Sequence, residues 1–250
     1  MQPSAPGTGT SKMSVRSKME EQARPHAIYK REFLQRVLSD VPESLLDVGC
    51  GEGALLRAAA AAGCSRCTGI EPDESMVLAG RAQGLDLRQG RAEALPFPNG
   101  SYDVVVFDYV AHHLEFLEQA LYQAARVARR AVFVLDTWYD VSHPSQQVAM
   151  DFDGWLKVID RRRGLVHNPC VQAVRLAAPF VALGGFRIDY SHRLLLQGID
   201  ISKVERVGRE QLALIGGCAV LERALLTLLD RARLDRFTDD GALMFCASRR

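Results

Sequence analysis

The feature that most restricts the fold of this chain is a short apolar run that ends in an acid and a group of glycines. The run ends at Asp47 and leads into Gly49, Gly51 and Gly53, and an alanine-rich segment follows over 54–62. Glycine lets the backbone turn sharply and lets a ligand approach it closely. A helix N-terminus behind the turn offers unpaired N–H groups to an anion. The pattern predicts a strand, a tight turn and a helix that bind a nucleoside-bearing cofactor.

Two classes of cofactor are compatible with this turn. Gly49, Gly51 and Ala54 have the spacing of the dinucleotide fingerprint G-x-G-x-x-G/A, and the acid Glu71 follows at roughly the expected distance. This pattern alone is a weak signal, because many α/β proteins contain it. A nicotinamide-dependent oxidoreductase is therefore one alternative for the function.

A longer set of motifs favours another class. The string from Asp47 to Gly53 resembles motif I of the class I S-adenosylmethionine-dependent methyltransferases. Segments 69–73, 90–97, 101–107 and 111–115 resemble the later motifs of that family, in the same order. The resemblance covers roughly residues 45–136 and is most similar to the small-molecule branch that includes quinone-biosynthesis methyltransferases. It implies S-adenosylmethionine as the cofactor.

The alternation of segments predicts an α/β fold. Strands are expected near 44–48, 67–71, 85–88, 103–107 and 131–135, with helices near 53–62, 74–83, 114–128 and 168–183. This spacing is typical of a doubly wound parallel sheet. The family resemblance implies a Rossmann-like, mostly parallel sheet of seven strands with an antiparallel last strand. Two further strand-like segments, 186–191 and 242–247, fit the end of that sheet.

The domain organisation follows from the same reading. Residues 1–17 are expected to be a disordered N-terminal extension, and 18–250 a single methyltransferase domain. Helical insertions are expected near 138–183 and 197–238, with a substrate cap, a homodimer face and plain packing as the open alternatives.

Composition excludes several classes of partner. The net charge is +1, so no overall attraction to nucleic acid or to an anionic membrane is expected. No apolar run reaches the roughly 18 residues of a membrane span, and the N-terminal segment lacks the apolar core of a secretory signal. The chain is expected to be cytoplasmic. Cys64 and Cys67 have the spacing of a redox motif or of half a zinc site, but no second cysteine or histidine pair follows at zinc-site spacing, so no metal site is expected.

The resemblance implies a set of cofactor contacts. Asp47 is expected at the methionine end of the cofactor, and the motif glycines give it close backbone approach. A carboxylate at Glu71 can accept both ribose hydroxyls. Arg91 stands where relatives often have an acid that meets the adenine, so Ala92 and Glu93 are expected to share that role. The complete predicted set is Asp47, Gly49, Gly51, Gly53, Glu71, Pro72, Arg91, Ala92, Glu93 and Asp108.

Candidates for catalysis and acceptor binding follow the fourth and fifth strands. Tyr109 and His113 are the predicted catalytic residues, since an unperturbed histidine titrates near neutral pH. The neighbouring His112 is an alternative base, and a purely structural role for the pair is also open. No Asp or Glu next to the histidines is identifiable as their orienting partner, which favours a reaction that needs only proximity of the reactants.

Aromatic and polar residues after the fifth strand predict a wall for the acceptor. Trp138, Tyr139 and His143 are the predicted substrate-binding residues, and Trp155 is a further candidate for the same lid.

The predicted reaction is transfer of the methyl group of S-adenosylmethionine to an oxygen, nitrogen or carbon of a small molecule, with release of S-adenosylhomocysteine. The other class of function that stays open is a catalytically silent cofactor-binding or scaffold protein on the same fold. The sequence does not name the acceptor.

Overall fold

The computed structural model describes residues 25–250 of the chain. The extension predicted over 1–17 lies outside the described residues. Seven strands form one sheet, in the order β3-β2-β1-β4-β5-β7-β6. Their bounds are Ser44–Val48 (β1), Arg66–Glu71 (β2), Asp86–Gln89 (β3), Tyr102–Asp108 (β4), Ala128–Trp138 (β5), Phe186–Arg193 (β6) and Gly241–Arg249 (β7).

Helices connect and cover these strands. Their bounds are Pro25–Val37 (α1), Ala54–Ala61 (α2), Glu74–Ala82 (α3), Leu117–Val127 (α4), Pro144–Arg162 (α5), Ala173–Leu183 (α6), Ile201–Ala213 (α7) and Ala219–Asp235 (α8). Single 3₁₀ turns lie at Ala92–Ala94 and Ala111–His113. No helix within residues 25–250 has the length and apolar character to cross a membrane.

The pairing of the strands confirms the predicted fold class. Strands β1 to β5 pair in parallel, with β1 between β2 and β4. The last strand, β7, runs antiparallel to β5 and to β6 and lies between them. From β1 the chain adds β2 and β3 on one side, and it then returns to add β4 and β5 on the other side. This change of side leaves a crevice beyond the carboxyl ends of β1 and β4, where α/β proteins bind ligands.

Two apolar layers hold the sheet. All five residues of β1 are buried, as expected for a strand with both faces covered. On one face, Tyr29 and Phe33 of α1 pack with residues of α2, α3 and the sheet. On the other face, Leu121 of α4 and Phe180 of α6 pack against residues such as Phe107. These layers fix the carboxyl ends of the strands, from which the candidate site is built.

Helices also occupy both stretches in which insertions were predicted. Helices α5, α7 and α8 share a third apolar cluster that contains Trp155 and Leu225. The indole N–H of Trp155 donates to the carbonyl oxygen of Leu221 at 2.9 Å, and only 5% of this residue is exposed. Trp155 therefore packs these helices together, and its membership of a lid over the site stays a prediction.

Candidate functional site

A cleft of about 570 Å³ opens at the carboxyl ends of β1, β2 and β4. The glycine turn after β1 forms its floor, and the segment after β4 forms one side. Ten residues of the predicted cofactor and catalytic sets line this cleft: Gly49, Gly51, Glu71, Pro72, Arg91, Ala92, Glu93, Asp108, Tyr109 and His113. A single cavity thus brings together residues that are spread over about 60 positions of the sequence.

The glycine turn is shaped by positive φ angles and by close neighbours. Gly49 has φ +72°, and a Cβ atom there would lie 2.7 Å from both γ-carbons of Val110. Gly51 has φ +51°, and its nearest neighbour in the same test is the sulfur of Met76 at 3.9 Å. Positive φ is strained for residues other than glycine. The turn therefore leaves open space above Gly51, on the side of the cleft.

Glu71 fastens this turn to the end of β2. Its Oε2 accepts a hydrogen bond from the Gly51 N–H at 3.0 Å, and its Oε1 accepts from the Asp73 N–H at 3.1 Å. Each carboxylate oxygen has a second lone pair. Glu71 can therefore hold the turn and still accept hydroxyl donors from a ligand in the cleft.

Three polar atoms at the base of the cleft have no hydrogen-bond partner among the described residues. They are Oδ1 of Asp47, Oδ1 of Asp108 and the hydroxyl of Tyr109. Burial, and next the neighbouring Asp108, raise the pKa of Asp47 well above its usual range. Because an unpaired buried polar group is costly, these atoms fit a ligand that brings a positive charge and hydrogen-bond donors to this place.

Helix α1 covers the same atoms. The ammonium of Lys30 donates to Oδ2 of Asp108 at 3.0 Å, and the His26 ring stacks on Tyr109 with 5.0 Å between the ring centres. Cover for the site was expected only from segments that follow the fourth and fifth strands, and α1 adds to it. No pattern in α1 marks Lys30 or His26 as site residues, because their role depends on where the helix packs.

Tyr109 lies in an unusual environment. Its φ of +57° is rare for a residue with a side chain. Burial raises the pKa of its hydroxyl, with the carboxylates of Asp240 and Asp108 as further causes. Tyr109 therefore keeps its proton at neutral pH, and its unpaired hydroxyl is available to donate to a ligand. Its catalytic role stays a prediction.

The opposite side of the cleft carries Arg91 in an ion-pair network. Its guanidinium lies 3.4 Å from the carboxylate of Glu93 and 3.4 Å from that of Glu115. Glu93 is buried, whereas Arg91 is exposed. The two acids hold the arginine beside Ala92, and Ile70 and Pro72 add apolar surface to this end of the cleft.

The two histidines after β4 have different surroundings. Nδ1 of the buried His112 pairs with the buried carboxylate of Asp136, which also accepts the His112 backbone N–H at 3.1 Å. His113 lines the cleft, and its Nδ1 lies 3.1 Å from the carbonyl oxygen of Val166. The expectation that no acid orients this pair was wrong, because β5 brings Asp136 to His112.

The three predicted substrate residues do not line this cleft. Trp138 stacks on His192 with 4.2 Å between ring centres. Tyr139 packs against the cluster of α5, α7 and α8, and burial raises the pKa of its hydroxyl. His143 precedes α5, with its Nδ1 3.3 Å from the carboxylate of Asp140. Their role in acceptor binding stays a prediction.

One set of residues that the sequence analysis missed also faces the cleft. Asp160, Leu165, Val166 and His167, at the end of α5 and just after it, form part of its wall. His167 lies beside His112 and His113, with ring centres 5.2 and 4.5 Å away. The expectation of no metal-ligand cluster rested on sequence spacing, whereas these three rings form a group of the right composition through tertiary packing.

The family comparison agrees with this geometry. Residues 46–135, which include the glycine turn, Glu71 and the segment after β4, match the methyltransferase domain family. Residues 46–135 of the chain are thus a methyltransferase domain. The family uses S-adenosylmethionine, and the unpaired oxygens of Asp47 and Asp108 in this methyltransferase fit the positive charges of that cofactor.

Individual relatives agree on the domain and differ in their acceptors. The chain is 28% identical to ajmaline N-methyltransferase from Rauvolfia serpentina over 62% of this chain and 60% of that protein. It is 36% identical to the ribosomal protein L11 methyltransferase of Neisseria gonorrhoeae over 39% of this chain and 33% of that protein. The chain thus spans only about a third to three fifths of the length of these two curated relatives.

The whole fold of the methyltransferase has solved counterparts. The crystal structure of YcgJ from Bacillus subtilis superposes with a TM-score of 0.60, at 19% identity, over 88% of this chain and 99% of that chain. Likeness at this identity supports the fold and carries no statement about the acceptor.

Proposed function

We propose that this protein transfers the methyl group of S-adenosylmethionine to an oxygen, nitrogen or carbon of a small-molecule acceptor. The observation that carries the proposal is that Asp47 and the half-buried Asp108 each keep one carboxylate oxygen without a hydrogen-bond partner among the described residues. A ligand with a positively charged amino-acid end would pair these oxygens. A nicotinamide dinucleotide brings phosphates to this turn, and two carboxylates would repel them.

The residues of the cleft divide the work of holding the cofactor. Asp47 and Asp108 receive the ammonium end, and Glu71 receives the ribose hydroxyls. Ala92 offers its backbone N–H, and Ile70 and Pro72 offer apolar surface, to the adenine. When bound, S-adenosylmethionine supplies a methyl group on a sulfonium sulfur, which leaves as a thioether with the electron pair of the broken carbon–sulfur bond.

The protein's part in the transfer itself is mainly positioning. The acceptor atom must lie in line with the breaking bond, and such alignment alone lowers a barrier substantially. Tyr109 and Lys30 bracket Asp108, so they can orient the reacting groups. Where the acceptor carries a proton, His113 is the proposed base, because partial desolvation lowers its pKa and keeps the imidazole neutral.

A small acceptor is favoured over a protein by the cover of the site. Helix α1 lies over Asp108 and Tyr109, so a bulky chain has limited access from that side. Ajmaline N-methyltransferase, by its name, acts on a small molecule, whereas the L11 methyltransferases act on a ribosomal protein. The protein acceptor is therefore the second candidate.

Ligand-induced stabilisation tests the cofactor. S-adenosylhomocysteine at 100-fold above its Kd should stabilise the native state by about 2.7 kcal/mol, and NADH should give no shift in melting temperature. A shift with NADH and none with S-adenosylhomocysteine would overturn the proposal.

A second assay addresses turnover. Release of S-adenosylhomocysteine is measured with panels of small phenols, amines and quinols, and with ribosomal protein L11 as the protein alternative. Release with a small acceptor supports the proposal. Release with the protein alone contradicts the acceptor class, and cofactor binding with no release from any acceptor supports the catalytically silent alternative.

A further inference from the structure

Three of the six histidines of the chain converge at one wall of the cleft. One ring nitrogen from each of His112, His113 and His167 lies within 4.8 Å of those of the other two. The first two follow β4, and the third follows α5, so the group is assembled by tertiary packing.

Each of these rings is held by one nitrogen. Nδ1 of His112 pairs with the Asp136 carboxylate, and Nδ1 of His167 lies 2.7 Å from Oδ2 of Asp160. Nδ1 of His113 lies 3.1 Å from the Val166 carbonyl oxygen. All three acceptors require a proton on Nδ1, which leaves the lone pair of each neutral ring on Nε2. Histidines that bind metals are oriented in this way by carboxylates and carbonyls.

We propose that His112, His113 and His167 bind a divalent transition-metal ion of the zinc class. Imidazole ligands suit zinc, copper, iron and nickel, and do not suit magnesium or calcium. Zinc–nitrogen bonds are about 2.0–2.1 Å long, so the nitrogens must approach one another from within 4.8 Å. His113 is exposed and His167 is half-buried, so both side chains have room for this movement.

The charges around the group fit a dication. The carboxylates of Asp136 and Asp160 together balance two positive charges. The positive charge of Lys157 also lies near His167, but its ammonium is already paired with the Asp153 carboxylate, 2.6 Å away. The two nearby acids would therefore offset the charge of the ion in a partly buried place.

The ion would face the cleft. His113, His167 and Asp160 all line it, whereas His112 closes the group from the protein interior. Three protein ligands leave a fourth position, as in catalytic zinc sites. Water, or an oxygen or nitrogen donor of a molecule in the cleft, would fill that position. With the ion bound, Nε2 of His113 would be a ligand, so the role of base proposed above would apply to the metal-free protein.

Metal binding is measured directly on untagged, full-length protein that has been stripped with EDTA. Zn²⁺ is titrated in competition with a chromophoric chelator. We expect one equivalent with a Kd of about 1 µM or tighter. His113→Gln and His167→Gln should each weaken binding by at least about 100-fold, and Asp160→Asn by about 10–100-fold. His192→Gln, which alters a histidine outside the group, should leave the Kd unchanged.

The open position has its own readout. Co²⁺ in place of Zn²⁺ gives visible absorption that reports its coordination, and azide should shift that spectrum by binding at the fourth position. Circular dichroism checks that His113→Gln stays folded, and the exposure of this residue makes that the safest variant. Equal Zn²⁺ affinity in the wild type and both histidine variants would overturn the site, and a Co²⁺ spectrum insensitive to azide would overturn the open position.

The test is independent of methyl transfer. S-adenosylhomocysteine binding is measured on the same stripped protein, so a failed metal site and a failed cofactor site give different results. Cofactor binding without Zn²⁺ binding contradicts only the metal proposal, and the reverse result contradicts only the proposed function.

Discussion

The two walls of the cleft are encoded in different ways. The wall of the glycine turn is built from backbone geometry at the ends of β1 and β2, and its carboxylate Glu71 lies 20 positions from the Gly51 N–H that it binds. The histidine wall is built from side chains, and His167 reaches it from beyond a 19-residue helix. Local spacing therefore specifies the first wall, whereas the second exists only once α5 has packed. Local spacing thus specifies the part of the cleft that is typical of the methyltransferase domain. Tertiary packing forms the part that would set the particular chemistry of this protein.

The largest effect is expected at the glycine turn. Gly49→Ala should lower the free energy of unfolding by about 1–2 kcal/mol for its positive φ, and by about 1–3 kcal/mol more for the overlap with Val110. Both γ-carbons of Val110 lie 2.7 Å from the new Cβ, so rotation of this side chain does not relieve the overlap. Urea denaturation measures the loss.

A matched control isolates the overlap. Gly84 has φ +81° and nothing within 4 Å of a Cβ, so Gly84→Ala should show the backbone cost alone. Adding Val110→Ala to Gly49→Ala should recover part of the loss. Equal costs at Gly49 and Gly84 would contradict a turn packed against the segment after β4.

Substitutions in the cluster of α5, α7 and α8 should change the free energy of unfolding and leave the affinity for the cofactor unchanged. Leu225 is 1% exposed in the cluster of α5, α7 and α8, so Leu225→Ala should cost about 2–5 kcal/mol of unfolding free energy. The neighbouring Leu226 is 46% exposed, and Leu226→Ala should change stability by no more than about 0.5 kcal/mol. The Kd for S-adenosylhomocysteine should be unchanged in both. A tenfold loss of affinity in Leu225→Ala would show that the helical cluster supports the cofactor wall directly.

Glu71 should show the reverse pattern, with its main effect on affinity. Glu71→Ala removes a charged acceptor from the ribose, and such hydrogen bonds are worth about 1.5–3 kcal/mol. Calorimetry should give a Kd for S-adenosylhomocysteine about tenfold weaker or more. Glu71→Gln keeps the shape and one acceptor oxygen, and should fall between the wild type and Glu71→Ala. An unchanged Kd in both variants would remove Glu71 from the ribose.

Asp47 should give the smallest change, and its sign depends on pH. Its pKa is raised in the folded protein, so ionisation opposes folding once the pH exceeds the unfolded pKa of about 4. Asp47→Asn should therefore raise the melting temperature of the ligand-free protein at pH 7. This gain should shrink as the pH falls towards about 4, because the unfolded carboxyl then becomes protonated too.

The same substitution should weaken the binding of the cofactor. Asp47→Asn removes one of the two charges proposed to meet the ammonium, so the thermal shift caused by S-adenosylhomocysteine should become smaller. Glu43→Gln, which neutralises an exposed acid just before β1, is the control and should change neither quantity. A less stable ligand-free Asp47→Asn protein would contradict an unpaired carboxylate at this position.

The sequence predicted those parts of the site that depend on neighbours along the chain. Strand ends and glycine turns have local signatures, and Gly49, Glu71 and Arg91, which were predicted for one cofactor site, line one cleft. Their contacts with the cofactor stay a prediction. Trp138 and Tyr139 were placed by the end of β5 alone. In the structure, Trp138 stacks on His192 and Tyr139 packs against the cluster of α5, α7 and α8. The periodicity of a sequence does not indicate which of these partners a side chain contacts.

The errors in the helical half have the same origin. The 19-residue helix α5 was not predicted as an element, although an insertion was expected there. The pairing of Asp136 with His112 depends on the register between β4 and β5. Such contacts are set by packing, which a single sequence does not display.

The double hydrogen bond of Glu71 has a consequence for the speed of cofactor exchange. The carboxylate already ties the Gly51 and Asp73 amides in the ligand-free protein, so the turn is rigid before any cofactor arrives. Binding then requires little ordering of the loop, and its entropic cost is low. Association should be limited by the opening of α1, whose Lys30 and His26 cover Asp108 and Tyr109, since the receiving surface is in place beforehand. Cofactor exchange would thus be gated at the entrance of the cleft.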